Sequence, residues 1–382
     1  MTCNRLNVIK LLQLGFCRLF LHIASRLFSL VSCICNKIRL KIMLSWIESV
    51  LSFALVLIKL IALIYILIPF IIKCIPSVLR HAAFLNFLCG PLWYVKLNKP
   101  KDAWKLDRVK NYYVPGSVGK IGVWHFAPLT GEQESLDQAL KVIVYCHGNA
   151  FHRGMGHRLD LYSLLQRNGF HVVAFDYRGF GDSEGSPSEK GVIHDAACVY
   201  KWTTQQISND DCLVFMWGHS LGTTISTQAL LQLQDEKYSK QPCGLILEAG
   251  FASINDALYK YPMSKWLLSI YPNWLIIGII EDGLRKNDLS FKTASCLSML
   301  HTHVLMFHAK DDRRVPFELG EQLFESAKQS KCIKSCHFVS FESDLHLGHN
   351  NCSSYSGFSE IIETFAANVG SLSLHGFKTT AY

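Results

Sequence analysis

The stretch Val214 to Ser226, VFMWGHSLGTTIS, allows few local structures. Val214 to Trp217 reads as a buried strand and Leu221 onward as a helix, with only Gly218, His219 and Ser220 between them. A chain that passes from strand to helix in so little space forces its apex residue into strained backbone angles, and neighbours without a Cβ relieve the crowding. Glycines at 218 and 222 therefore predict that Ser220 stands at the apex, its hydroxyl lifted clear of the sheet. G-x-S-x-G alone fixes only three residues, and an ordinary tight turn satisfies it too. The flanking sequence must decide.

Strand-like rhythm begins at Lys110–Tyr113 and Lys120–Phe126. Four further apolar runs lie around the one before Ser220: Val142–Tyr145, Val172–Phe175, GLILEAG from Gly244 and HVLMFHAKDD from His303; CHFVSF from Cys336 follows. Between them stand helix-length segments at 159–167, 188–206, 221–234 and 317–328. Strands alternating with helices predict an α/β fold, a mostly parallel sheet covered on both faces. In such a sheet ligands sit at the carboxyl ends of the strands. There the polar residues gather: Ser220, then Asp311 and Asp312, then His346 and His349.

Ser, Asp and His in that chain order match the arrangement of an α/β-hydrolase. A serine hydroxyl is a weak nucleophile until a base takes its proton. Neutral imidazole does so, and a carboxylate fixes the ring and stabilises the imidazolium. HAKDDRRVP resembles the hydrolase pattern H-G-x-x-D-x-x-V, with Ala309 in place of the Gly, which selects Asp312 and leaves Asp311 as a turn or capping residue. His349, directly after Gly348, is preferred over His346. The expected triad is Ser220, Asp312 and His349. Backbone N–H groups of Asn149 and Leu221 are the expected oxyanion donors. His147 and His219 read as structural. No metal or cofactor is called for: the fourteen cysteines lack the C-x-x-C spacing of a zinc site.

The chain is 49% hydrophobic and only 18% charged. Leu51 to Ile72 contains one charge, Lys59, and one late Pro69. Roughly 20 apolar residues cross the ~30 Å hydrocarbon core, so this segment predicts a single transmembrane helix. Arg5, Lys10, Arg18, Arg26, Lys37, Arg39 and Lys41 precede it without an acidic residue among residues 1 to 43. That arm predicts an amphipathic helix against anionic headgroups, and its charge places the N-terminus in the cytosol. No basic stripe with interleaved aromatics argues for nucleic acid, and no obligate protein partner is evident. The expected organisation is an arm at 1–50, a span at 51–72, a linker at 73–105, a hydrolase domain at 106–370 with a cap near 251–296, and a tail at 371–382.

From about Ile66 to Asn368 the sequence resembles the membrane-anchored monoacylglycerol and lysophosphatidylserine lipases of the α/β-hydrolase-domain family, subfamily twelve. FLNF from Phe84, IGVWH from Ile121, HGNA from His147, FDYRGFGDSEGSPSEKG from Phe175, WGHSLGT from Trp217 and ESDL from Glu342 carry the match. The resemblance implies the same triad, an integral endoplasmic-reticulum membrane protein and a lumenal catalytic domain. The chain departs from the family at Arg313 and Arg314 and in GHNN around His349. These arginines are either headgroup ligands or solvated loop charges. In the cap, Trp266, Leu267, Ile270, Trp274 and Ile277 line an acyl-chain pocket, dip into the bilayer or simply pack on the core. The function expected is hydrolysis of the carboxylic ester of single-chain lipids through an acyl-enzyme. An acyl-protein thioesterase and a non-catalytic scaffold of the same fold are the alternatives.

Overall fold

The structure is a computed structural model that describes residues 4–89, 95–132, 134–260 and 269–370. The chain divides into two units, Met1–Phe70 and Ile71–Tyr382. The first is formed by helix α1, Asn4–Cys74, which holds both the basic arm and the expected span in one helix and contains Pro69. Within α1, His22–Ile71 is long and apolar enough to cross a membrane, and Phe53, Val56, Ile58 and Phe70 stand exposed along it.

The second unit is built on one eight-stranded sheet of order β1-β2-β4-β3-β5-β6-β7-β8. Strands β1 (Val109–Pro115) and β2 (Lys120–Phe126) are antiparallel. The remaining strands, β3 (Lys141–Cys146), β4 (His171–Phe175), β5 (Leu213–His219), β6 (Gly244–Glu248), β7 (His303–Ala309) and β8 (Ser335–Phe341), run parallel to one another. Their near-continuous apolar sequence is what a strand covered on both faces requires. On one face, Leu161, Tyr162 and Leu165 of α4 (Gly156–Arg167) and Phe358, Ile361 and Phe365 of α11 (Phe358–Gly370) share a core with Tyr145, Trp217 and Phe307. Helices α5 (Glu189–Gln205) and α6 (Leu221–Asp235) pack on each other and against β3 and β5.

Of the residues expected to form a linker, the described stretches 76–89 and 95–104 carry helices and buried anchors of this unit. Phe84, in α2 (Pro76–Phe84), is fully buried and packs edge-on against Phe180 and Phe291. Helix α3 (Pro100–Trp104) ends on Trp104, whose indole donates to Val95 O at 2.8 Å. The cap contributes α7 (Ile254–Lys260), α8 (Asn273–Lys286) and α9 (Thr293–Leu297). Glu189 fastens its exit, with Oε1 accepting the Phe291 N–H at 2.9 Å. Helix α10 (Phe317–Lys328) lies against β7 and β8.

Register brings the strand ends to one rim. Cys146 stands opposite Gly218, His219 opposite Glu248, Glu248 opposite Phe307, and Ala309 opposite Phe341.

Glu248 is a buried acid at that rim, 4% exposed. Its Oε2 accepts the Trp217 indole N–H at 3.2 Å. Burial pushes it up to about 8, against the hydrogen bonds from Trp217 and Cys352 and with the charge of Asp312. The unfolded group titrates near 4.5. Between these values the folded state keeps a proton that the unfolded state loses, so stability falls as pH rises through this window and levels off above it. Glu248→Gln removes the slope. The melting temperature of the variant minus that of the wild type should therefore increase as pH is raised from about 5 to about 8. Melts in detergent across that range check it, and a constant difference would show that Glu248 is not held neutral.

Candidate active site

Ser220 sits between β5 and α6 with φ 53° and ψ −117°. A Cβ on Gly222 would lie 1.9 Å from Cys146 O, and one on Gly218 would lie 2.3 Å from Gly222 O. No side chain fits at either position, which is the crowding that the glycine spacing foretells. Ser220 N–H donates to Glu248 O at 2.8 Å, and Ser220 O accepts from Thr223 N at 2.9 Å, so the apex is clamped on both sides. Leu221 opens α6. Its N–H is one of the first-turn amides without an intrahelical acceptor.

Asp312 follows β7 and is 6% exposed. Oδ2 accepts from His349 Nδ1 at 2.6 Å and lies 3.2 Å from His308 Nε2. Oδ1 accepts the N–H groups of Arg314 and Val315 at 2.8 and 3.0 Å. Burial pushes this carboxyl up, but the bonds from His308 and His349 outweigh it and hold it well below the usual carboxylate range. It stays ionised.

His349 lies in the loop after β8, and two contacts place it. Asp311 Oδ1 accepts the N–H of Gly348, a residue at φ 56°, at 2.9 Å. His219 Nε2 donates to His349 O at 2.9 Å, and the two rings are 4.9 Å apart, centre to centre. Because His219 immediately precedes Ser220, this bond ties the His349 loop to the serine turn. His346 is exposed and has a left-handed backbone, φ 51°. The structure thus joins His349 to Asp312, and both to the serine turn.

The loop after β3 closes the rim. A Cβ on Gly148 would lie 3.2 Å from Ser220 Cβ and 2.9 Å from His219 Nδ1, so the Gly148–Asn149 peptide runs beside the serine. Asn149 is anchored through Nδ2, which donates to Ala83 O at 2.7 Å. His147 is fully buried, with Nε2 3.4 Å from Asp176 Oδ1. Burial, followed by the charge of Arg158, lowers its proton affinity and keeps it neutral.

Of the residues expected to meet substrate, Trp266 and Leu267 lie outside the described residues. Trp274 is 75% exposed at the start of α8, Ile270 is exposed and Ile277 is half-buried. Arg313 and Arg314 are exposed. Arg314 is close enough to depress His157, which burial and Arg158 already lower, to about 3. The His157 ring is 5.9 Å from that of His219, and Arg314 follows Asp312 by two residues on the loop after β7. Among the described residues no group of three His, Cys, Asp or Glu is placed to hold a metal ion.

Sequence reasoning missed His308, a second imidazole on Asp312; its only signal is the spacing of four residues between them. It also missed Arg153, which is fully buried and pairs with Asp176 and Asp182 at 2.5 and 2.6 Å. That cluster ties the loop after β3 to the glycine-rich loop after β4.

Comparison with known proteins finds relatives of this chain. Residues 137–296 match a family model described as serine aminopeptidase, S33. A Danio rerio protein named lysophosphatidylserine lipase ABHD12 is 38% identical over 303 residues, covering 75% of this chain and 76% of the relative. Its Xenopus tropicalis namesake is 35% identical over 323 residues, 80% of each. Protein ABHD12B of Homo sapiens is 37% identical over 262 residues, 65% of this chain and 69% of the relative. A Pyrococcus furiosus esterase superposes with a TM-score of 0.50 at 15% identity, over 67% of this chain and 89% of its own, and supports the fold alone. The chain belongs to the ABHD12 family of α/β-hydrolases, whose relatives named here include lysophosphatidylserine lipases.

Proposed function

We propose that this protein is a membrane-anchored serine hydrolase that cleaves the carboxylic ester of single-chain lipids, lysophosphatidylserine or monoacylglycerol, through an acyl-enzyme on Ser220. The observation that carries the reading is the 2.6 Å bond from His349 Nδ1 to Asp312, on a loop fastened to the serine turn. With Nδ1 occupied, His349 Nε2 is the nitrogen left to accept the serine proton. Ser220 Oγ attacks the acyl carbon while His349 takes its proton, and ionised Asp312 stabilises the imidazolium. The N–H groups of Asn149 and Leu221 receive the charge on the acyl oxygen. His349 returns the proton to the departing alcohol, and water then releases the fatty acid by the same steps in reverse.

Arg313 and Arg314 are the residues we assign to an anionic headgroup, since both are exposed directly after Asp312 and guanidinium binds phosphate and carboxylate bidentately. Exposed Trp274 and Ile270 suit contact with lipid at the interface. Helix α1 would hold the enzyme in the membrane as a single span. The basic arm favours a cytosolic N-terminus and a lumenal hydrolase domain, as in an endoplasmic-reticulum protein.

Ser220→Ala should abolish both lysophospholipid hydrolysis and fluorophosphonate labelling while the melting temperature stays within a few degrees; unchanged turnover would reject the assignment. Asp312→Asn should lower kcat by about 10³- to 10⁴-fold, because the ring loses its ionised partner. Replacing Arg313 and Arg314 by Ala should raise KM for lysophosphatidylserine several-fold more than for monoacylglycerol, about 3- to 10-fold, as expected for exposed charge-assisted contacts. Parallel assays on the two lipids read this ratio, and equal effects on both would remove the headgroup role.

A further inference from the structure

The loop after β3 carries an unfavourable backbone that one buried cation holds in place. Ala150 and Phe151 stand at φ 64° and 60°, two consecutive left-handed residues that both bear side chains. L-residues with a Cβ avoid this region. Arg158, the third residue of α4, is 2% exposed and turns its guanidinium onto this loop. Nη2 donates to Gly148 O and Ala150 O, both at 3.1 Å, and Nη1 donates to His152 O at 2.5 Å. Among the described residues no carboxylate forms an ion pair with it. Buried arginines are ordinarily matched by carboxylates, and this one is satisfied by peptide carbonyls instead. His147 Nδ1 also donates to Gly148 O, at 2.7 Å.

Gly148 O belongs to the peptide unit whose N–H is that of Asn149. Peptide planarity sets the two bonds antiparallel, so fixing the carbonyl toward Arg158 fixes the N–H in the opposite direction. The same peptide runs beside Ser220. A charged donor on the carbonyl also polarises the amide and strengthens its N–H as a donor.

We propose that Arg158 is a positioning residue of the oxyanion hole: its bond to the Gly148 carbonyl aims and polarises the Asn149 N–H that receives the charge of the acyl oxygen. The inference rests on the reading of Ser220 as nucleophile and Asn149 as oxyanion donor. Arg158 itself never touches substrate. Its contribution grows as the oxygen becomes charged, so its loss acts on the transition state more than on bound substrate.

The test uses full-length Arg158→Gln and Arg158→Lys in detergent, with active sites counted by fluorophosphonate labelling taken to completion. Per labelled site, kcat should fall by about 10- to 100-fold with KM changing by less than about 2-fold. Affinity for a long-chain trifluoromethyl ketone, which forms an oxyanion on serine, should fall by the same factor as kcat/KM. A role confined to folding would lower the number of labelled sites and leave the per-site constants at wild-type values, which overturns the proposal. If Arg158→Gln yields no folded protein, Arg158→Lys carries the same readouts, since lysine keeps the charge but not the fork that reaches several carbonyls. Ser220→Ala separates the two levels. Turnover surviving there removes the nucleophile reading and this inference with it, whereas a dead Ser220→Ala beside unaltered per-site constants at position 158 removes Arg158 alone.

Discussion

The candidate site depends on one close approach, that of the first turn of α6 to the end of β3. With Cys146 O where a Gly222 methyl would be, the helix enters against the sheet more tightly than any side chain permits. That approach sets the left-handed apex at Ser220 and presses Gly148 against it. Every later element of the rim is placed relative to this crossing. His219 reaches the His349 backbone from it, and Glu248 accepts the Ser220 N–H beneath it. A methyl at position 222 would displace the helix start, and the serine, the imidazole loop and the β3 loop would lose their common reference together.

Behind the rim lies a polar layer whose groups satisfy one another in a low-dielectric interior. Arg153 answers Asp176 and Asp182, and Arg178 answers Asp195 at 2.6 Å. Such pairs add little net stability against an apolar core, but removing one partner strands a buried charge. Their effect is to lock the loops after β3 and β4 and helix α5 in a single arrangement. Burial also keeps His147, His157 and His219 neutral, while Asp312 remains ionised. The negative charge of Asp312 thus stands between two imidazoles, His308 and the histidine that binds it through Nδ1, His349.

The sheet was legible because its strands are uninterrupted apolar runs ending in glycine-rich or polar loops, a pattern that does not depend on knowing neighbours in space. Ser220, Asp312 and His349 could be picked out for the same reason, since each follows a strand and the parallel order brings strand ends together. The roles of His308, Glu248 and Arg158 were not legible. Each is a polar residue that the fold buries, Glu248 against Trp217 of a neighbouring strand and His308 and Arg158 against nearby loops whose path only the folded chain sets; nothing local marks such a residue as interior. Segment 73–105 read as a linker because it mixes Lys, Pro and aromatic residues without a strand or helix rhythm, yet Phe84 and Leu97 supply anchors that only the folded domain makes visible. The charges of the basic arm suggested a break before the span, but no helix-stopping residue accompanies them and α1 continues through.

That continuity has a geometric consequence. At about 1.5 Å per residue, a helix of 71 residues extends about 106 Å, whereas the oily interior of a bilayer takes up about 30 Å of it. A single crossing accounts for less than a third of the rod. The greater part, which carries Arg26, Lys37, Arg39, Lys41 and Glu48, would lie outside such a crossing.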